Sequence, residues 1–210
     1  PEVAAYMESE LRRVFDEYKP DLYRNEYIPG FTYEGIEVSR YGFLENNYWR
    51  YYDAWNSIWD HLHAKYPEML LQQCAGGGAR EDLAAMSRFH ESYPNEGELG
   101  RVLRSFSGKT ISLPPEVLVI GHGARTEEGH LDTDLRASFT LSTPQLLTGV
   151  APNVEELSPE RRERYLHYAN LYKKFIRPLL STCKEYHHAP VSSHGGVTST
   201  PWFAMEHAAQ

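Results

Sequence analysis

The chain has 210 residues, a formal net charge of −8, and 41% hydrophobic and 13% aromatic residues, which suits a globular protein with a real core. The acidic balance argues against nucleic acid as a partner, because that affinity comes from Lys and Arg. No apolar run approaches the roughly 18 to 20 residues of a membrane span. Cys74 and Cys183 show neither disulfide nor zinc spacing.

The first half of the chain alternates between predicted helices and short predicted strands, read from the spacing of apolar residues. Its elements are, in order, a helix over 3–17, a strand over 21–27, a Gly- and Tyr-rich loop over 30–44, a helix over 45–65, a strand over 69–73, a glycine loop, a helix over 81–88 and a strand over 89–93. The aromatic face of the second helix is expected to pack on the sheet; it consists of Trp49, Tyr52, Trp55 and Trp59.

The second half continues the alternation less regularly. Its predicted elements are a helix over 97–106, a strand over 109–113, a strand over 117–120, a helix over 130–141, a long loop through Pro152, and a helix that begins at Ser158-Pro159 and runs to about 180. Asp132 and Asp134 are expected to be charges at a helix N-terminus.

Strands that alternate with helices predict parallel βα units. Four or five units are visible, which is about half of a TIM (β/α)8 barrel. We therefore predict a partial barrel over 1–184. The His-, Ser-, Gly- and Val-rich residues of 185–210 are expected to begin a β-sandwich domain, so the sequence is expected to be a piece of a longer protein, cytoplasmic or secreted.

Two carboxylates are predicted at the mouth of this barrel. Active sites of βα barrels lie at the carboxyl ends of the strands, where Glu26 and Glu96 are expected. Two carboxylates across a pocket can hydrolyse a glycosidic bond. Arg24 would share a strand face with Glu26 and could hold it ionised. The alternative is that these are solvated loop acids and that Gly76–Gly78 merely shape a turn.

The segment CAGGGARED, residues 74–82, resembles the Cys-x-x-Gly-Gly-x-Arg-x-Asp signature of the α-galactosidase (melibiase, raffinose-type) family of retaining glycoside hydrolases. Weaker similarities follow in the family's order: DLYRNEY at 21–27 resembles the nucleophile segment, LPPE at 113–116 a Pro-Pro segment after a later barrel strand, YLHYANLYKKFIRPLL at 165–180 the last barrel helix, and YHHAP at 186–190 with Pro201-Trp202 the start of the C-terminal β domain.

The resemblance implies the C-terminal half of the barrel and assigns roles. Glu26 takes the nucleophile position, Glu96 the acid/base position, and Arg24 the place of a basic residue that contacts substrate. The sugar subsite would be lined by Cys74, Gly76, Gly77 and Arg80. The implied reaction is retaining hydrolysis of an oligosaccharide or other glycoside, an α-galactoside or a similarly configured sugar such as a β-L-arabinopyranoside, without cofactor or metal. Homo-oligomerisation stays open.

The sequence departs from the family at several of these positions. Both family Asp positions carry Glu, Ile28 stands where the family has Asn, and Asn95 where it has Ser. The alternative function is a carbohydrate-binding barrel that has lost catalysis. A second alignment would make Asp21 the nucleophile, at the expense of the match at Tyr23 and Arg24.

Three histidines have competing interpretations. His122 could contact substrate at a strand end or be a structural loop residue. His187 and His188 suggest a metal only superficially, because no partner lies at ligand spacing.

Overall fold

The computed structural model describes residues 2–26, 37–46, 48–94, 99–122, 131–146, 158–188 and 204–209. The chain divides into two compact units, Pro1–Glu91 and Ser92–Gln210. Each unit contains buried hydrophobic residues that pack on one another. Among the described residues, none of the helices has the length and apolar character that a bilayer span requires.

The first unit is built on parallel strands joined by a helical crossover. Its elements are α1 (Glu2–Tyr18), β1 (Leu22–Asn25), β2 (Glu37–Arg40), β3 (Phe43–Asn46), α2 (Tyr48–Lys65), β4 (Leu70–Gln73), the short turn α3 (Ala75–Gly78), α4 (Leu83–Met86) and the start of β5 (Glu91–Ser92). β1 pairs with β4 in parallel, from Leu22 opposite Leu70 to Asn25 opposite Gln73. The sheet order is β1-β4-β5. The predicted βα alternation is confirmed here.

The core of this unit lies between the sheet and its helices. Leu71 of β4, Phe15 of α1, and Trp59 and Leu62 of α2 belong to one buried hydrophobic cluster. Complete burial of such side chains stabilises the fold by about 1.5–3 kcal/mol each. The aromatic face of α2 is only partly as predicted: Trp59 is in the core, whereas Trp49 is 61% exposed.

The loop predicted over 30–44 is wrong from residue 37 onward. β2 and β3 form an antiparallel hairpin in which Arg40 is opposite Phe43, so Tyr41 and Gly42 make a two-residue turn. Their φ angles are 53° and 81°. Positive φ at both central residues is typical of a type I′ turn, whose twist matches that of paired strands. The Tyr- and Gly-rich composition that favoured a loop instead provides this turn.

The second unit continues from β5 with a second parallel pair. Its further elements are α5 (Leu99–Lys109), a 3-10 turn (Pro115–Val117), β6 (Val119–His122), α6 (Leu131–Leu141), β7 (Thr143–Leu146), α7 (Pro159–Leu171), a π-helical segment (Tyr172–Ile176), α8 (Arg177–Leu180), β8 (Lys184–His187) and β9 (Met205–Ala208). β6 and β7 are parallel. Ser92 forms a parallel bridge to Leu118.

The strand predicted over 109–113 is wrong, because α5 continues through Lys109 and closes with a turn. The amides of Thr110 and Leu113 donate to the carbonyls of Phe106 and Lys109, at 3.0 and 2.9 Å. These local hydrogen bonds leave the segment without the backbone groups that a sheet ladder needs. The Pro-Pro segment at 114–115 therefore follows a helix and not a strand.

Part of the predicted long loop is also a strand, β7. Proline has no N–H to donate, so Pro144 fits in this strand only if its nitrogen faces away from the pairing partner. The amide of Thr143 donates to Leu118 at 3.2 Å. Since successive residues of a strand point their N–H groups to opposite sides, the nitrogen of Pro144 faces away from β6 and no hydrogen bond to β6 is lost.

The last predicted helix is present, with a change of pitch near its end. Residues 172–176 are π-helical, and the amide of Arg177 donates to the carbonyl of Tyr172. The wider turn precedes Pro178, which lacks an amide and would crowd the preceding helical turn.

The described strands near the chain end, β8 and β9, pair antiparallel from Lys184 opposite Ala208 to His187 opposite Met205. This pair agrees with the β structure expected after 184. A following β-sandwich stays a prediction.

Candidate active site

The three glycines form a turn in which four successive residues have positive φ. The φ angles are 53° at Ala75, 65° at Gly76, 80° at Gly77 and 86° at Gly78. Gly76 and Gly77, with ψ of 38° and 51°, lie in the left-handed helical region. An L-residue there costs roughly 1–2 kcal/mol, and glycine avoids that cost. The glycine run is therefore required by the backbone path of what we call the glycine turn, residues 75–78.

The glycine turn begins where β4 ends beside β1. The amide of Cys74 donates to the carbonyl of Asn25 at 3.0 Å, which extends the β1–β4 pairing by one step. The amide of Gly78 then donates back to the carbonyl of Cys74 at 2.7 Å. The Cys74 side chain is fully buried at the start of the turn.

Glu26 sits directly against this turn. It follows β1, is exposed to solvent, and its Oε1 accepts a hydrogen bond of 2.9 Å from the amide of Gly76. The left-handed backbone angles of the turn bring its N–H groups to this position. Residues with side chains adopt such angles only at an energetic cost. The structure thus brings together two features that the sequence predicted to share one sheet edge.

Arg80 is held by the aromatic residues of α2. It is only 4% exposed, its Nη2 donates to the Tyr51 hydroxyl at 3.4 Å, and its guanidinium lies 5.8 Å from the ring centroids of both Tyr52 and Trp55. Cation–π contacts of this kind stabilise a buried guanidinium. The sequence predicted a packing role for Tyr52 and Trp55, and their contact with Arg80 was missed.

The residue that ends the signature, Asp82, caps the next helical turn. Its Oδ1 accepts from the amides of Ala84 at 2.9 Å and Ala85 at 3.0 Å. These are the amides that the first turn of a helix leaves without partners. Asp82 therefore fixes the exit of the chain from the glycine turn.

A polar ladder crosses the three strands beside Glu26. Arg24 Nε donates to Gln72 Oε1, and Gln72 Nε2 donates to Glu91 Oε1 at 2.6 Å. Burial raises the pKa of Glu91, while the Gln72 hydrogen bond and the charge of Arg24 act in the opposite direction.

A second buried pair lies one residue further along the same strands, where Asn25 Nδ2 donates to Gln73 Oε1 at 2.7 Å. Gln72, Gln73 and Glu91 were missed by sequence reasoning. Only the strand register brings them to their partners.

Several predicted residues lie elsewhere or cannot be compared. Asp21 precedes β1, at the opposite end of the strand from the glycine turn, and its carbonyl accepts from the amide of Leu70. Glu96 lies outside the described residues, as do Ile28 and Asn95. The backbone of His122 belongs to β6, and its side chain is outside the described part. Asp132 is in the first turn of α6, as predicted, and bonds Arg164 at 3.0 Å.

The adjacent residues His187 and His188 each contact a different glutamate. His187 Nε2 lies 3.3 Å from Glu185 Oε1, whereas His188 Nε2 lies 2.8 Å from Glu206 Oε2. Within the described ranges, no group of three or more His, Cys, Asp or Glu residues is arranged to hold a metal ion.

Solved structures of α-galactosidases have folds similar to that of this chain. An α-galactosidase from Lactobacillus brevis matches with a TM-score of 0.72 and 17% identity, over 90% of this chain and 25% of that one. A GH36 α-galactosidase from Geobacillus stearothermophilus matches with 0.75 and 14%, over 89% and 26%. The galactosidase domain of an α-galactosidase–sucrose kinase matches with 0.71 and 18%, over 90% and 25%.

These similarities show that the chain has the mixed α/β fold of the matching part of the GH36 α-galactosidases. The chain spans about a quarter of the length of these structures. No family model and no curated protein matches the sequence.

Proposed function

We propose that this chain belongs to a glycoside hydrolase that cleaves α-galactosides or similarly configured sugars with retention of configuration. The observation that carries the proposal is the exposed Glu26 carboxylate against the amide of Gly76, in a fold shared with α-galactosidases. A carboxylate with a fixed orientation at a strand end is suited to attack an anomeric carbon.

The proposed reaction has two steps. Glu26 attacks the anomeric carbon and forms a glycosyl ester, while the carboxylic acid of Glu96 gives its proton to the leaving oxygen. The Glu96 carboxylate then takes a proton from water, whose oxygen attacks the same carbon and releases Glu26. Every proton and bond is accounted for without a cofactor.

The structure favours Glu26 over Asp21 as nucleophile. The two residues flank β1, and five steps along a strand at about 3.3 Å each separate them by about 16 Å. Only Glu26 lies at the end of the strand where the glycine turn begins. In parallel βα folds this carboxyl end carries the chemistry.

The proposed subsite uses the turn and the strand face beside it. Gly76 and Gly77 are partly exposed and would let a sugar approach the backbone, and Arg24 would contact a sugar hydroxyl. Cys74 and Arg80 are buried, so we assign them the support of the turn.

We also propose the architecture to which the two parallel strand pairs belong. The parallel pairs β1–β4 and β6–β7, each with an intervening helix, fit the C-terminal half of a TIM barrel over 1–184. We propose that 185–210 begin a C-terminal β domain.

The test is hydrolysis by the complete protein that contains these residues. Two engineered forms of a Geobacillus stearothermophilus α-galactosidase have been seen with 1-deoxygalactonojirimycin and with raffinose. We would therefore assay raffinose and a panel of aryl α- and β-glycosides, with Glu26→Gln as the key variant and the exposed Glu68→Gln as its control.

We expect Glu26→Gln to lower kcat by at least about 10³-fold while Glu68→Gln stays near wild type. Turnover that survives in Glu26→Gln would reject Glu26 as nucleophile. Absence of turnover across the panel, with 1-deoxygalactonojirimycin still bound, would favour the alternative of a carbohydrate-binding barrel.

A further inference from the structure

The strands β1 and β4 present two faces with different surroundings. Tyr23 and Leu71 pack with the core of α1 and α2. Since side chains alternate along a strand, Arg24 and Gln72 point from the opposite face, and Glu91 of β5 meets Gln72 there. Glu26, two residues beyond Arg24, follows the same alternation.

The orientation of the Gln72 amide follows from its contacts with Arg24 and Glu91. A guanidinium can only donate hydrogen bonds and a carboxylate accepts them, so the amide oxygen must face Arg24 and the amide nitrogen must face Glu91. Gln72 has no solvent exposure, so bulk water does not compete for either contact. Arg24, Gln72 and Glu91 therefore form one directed chain of hydrogen bonds.

We propose that Glu91 is a positioning residue for substrate recognition: through Gln72 it fixes the guanidinium plane of Arg24 beside Glu26. This rests on the proposed function, in which Arg24 contacts the sugar. The Nε–H of Arg24 is directed at Gln72, so rotation of the guanidinium would break the chain. A fixed guanidinium loses less freedom when a sugar hydroxyl binds.

A purely structural role would not require a charged residue at both ends of the hydrogen-bond series Arg24–Gln72–Glu91. Buried ionic groups are often replaceable by apolar residues of similar volume without loss of stability. The positioning role predicts instead that the effect of Glu91 passes through Arg24.

The test combines kinetics with a spectroscopic signature in the complete protein. The variants are Glu91→Gln, Arg24→Ala and the double variant, with Gln73→Leu as the matched control for loss of a buried amide pair on the other face of the same strands. The signature is the Nε–H resonance of Arg24 in arginine-labelled protein, assigned by its absence in Arg24→Ala.

We expect Glu91→Gln to raise KM about 10-fold, the size of one charge-assisted hydrogen bond, with kcat changed less than about 3-fold. The same substitution should have no further effect in the Arg24→Ala background. The Arg24 resonance should shift in Glu91→Gln and stay in place in Gln73→Leu.

Equal effects of Glu91→Gln with and without Arg24, or an unmoved resonance, would overturn the positioning role. If the complete protein hydrolyses none of the glycosides, the proposed function fails, while the resonance still decides whether Glu91 orients Arg24.

Discussion

The backbone amide of Gly76 donates to Oε1 of Glu26 across 2.9 Å, and this contact joins the end of β1 to the turn that follows β4. The donor in this contact is a main-chain group, so the contact depends on the backbone path of the glycine turn. Substitutions that disturb the path should therefore affect both stability and the carboxylate.

The glycine turn should reject a side chain at Gly77. Gly77→Ala places an L-residue at φ 80° and should lower the free energy of unfolding by about 1–2 kcal/mol. Chemical denaturation measures this change. Gly108→Ala, within the regular helix α5, is the control and should not destabilise, because alanine favours a helix by about 0.5–1 kcal/mol. Equal losses in both variants would contradict the strained path.

The aromatic support of Arg80 should require a planar guanidinium. Arg80→Lys keeps the charge but loses the Tyr51 hydrogen bond and the flat contact with Tyr52 and Trp55, and we expect a loss of about 1–3 kcal/mol.

The control for this substitution is Arg88→Lys. Arg88 pairs with the exposed Asp60 at 3.0 Å and also donates to the carbonyl of Ala84, and a partly exposed ion pair of this kind contributes about 0–1 kcal/mol. Thermal unfolding of both variants makes the comparison. A smaller loss at Arg80 than at Arg88 would remove the support role.

Asp82 should act through its capping oxygen. Asp82→Ala removes the acceptor for two amides and should cost about 0.5–2 kcal/mol, whereas Asp82→Asn keeps an acceptor and should cost little. Denaturant midpoints at constant pH distinguish the two. If Asn were as destabilising as Ala, the carboxylate charge and not the cap would be responsible.

A side chain at Gly121 in β6 should overlap with the ring of Tyr93. A Cβ at Gly121 would lie 2.5 Å from Cε2 and 2.7 Å from Cζ of the Tyr93 ring. We expect Gly121→Ala to cost about 1–3 kcal/mol through overpacking. Gly42→Ala is a control for strain alone, because nothing lies within 4 Å of a Cβ there.

A double variant separates overlap from other causes. Since Tyr93→Ala removes the overlapping ring, Gly121→Ala should cost less in that background, which equilibrium unfolding can measure. Fully additive losses would exclude the Tyr93 contact as the cause.

Asp16 should contribute to stability only above acidic pH. The hydrogen bonds from the Tyr66 hydroxyl at 2.7 Å and from Lys65 at 2.9 Å lower the pKa of Asp16. A carboxyl whose pKa is lower in the folded state stabilises the fold above about pH 4 and loses this effect as pH falls through the lowered value. Wild type should therefore lose more thermal stability than Asp16→Asn between pH 5 and pH 2. Parallel profiles of melting temperature against pH would refute this.

Helices and strands were predictable where apolar residues recur along one face of the element or form a short run. Apolar residues at helical spacing predicted α1, and the run around Leu71 predicted β4. The hairpin β2–β3 was missed because its turn residues, Tyr41 and Gly42, have left-handed backbone angles that composition alone reads as a loop. β7 was not predictable from the sequence, because Pro144 fits in a strand only when its nitrogen faces away from the pairing partner. The sequence does not show which side that partner is on.

The candidate site was predictable where the sequence dictates the backbone. Three glycines at a strand end predicted a tight turn, and Glu26 was expected beside it. The ladder from Arg24 through Gln72 to Glu91 was not predictable, because 48 residues separate the first two and 19 the last two. Such contacts follow from register, which no local pattern encodes.

Two adjacent glutamines give the sheet a further property. Gln72 and Gln73 point to opposite faces of β4, and each bonds the residue directly across on β1, Arg24 and Asn25. A shift of β4 by one residue would exchange the two faces, and a shift by two would place either Gln72 opposite Leu22 or Arg24 opposite Leu70. Each buried amide without a partner would cost about 1–3 kcal/mol. Misaligned pairings during folding are thereby penalised, and one alignment is selected at the edge that presents Glu26.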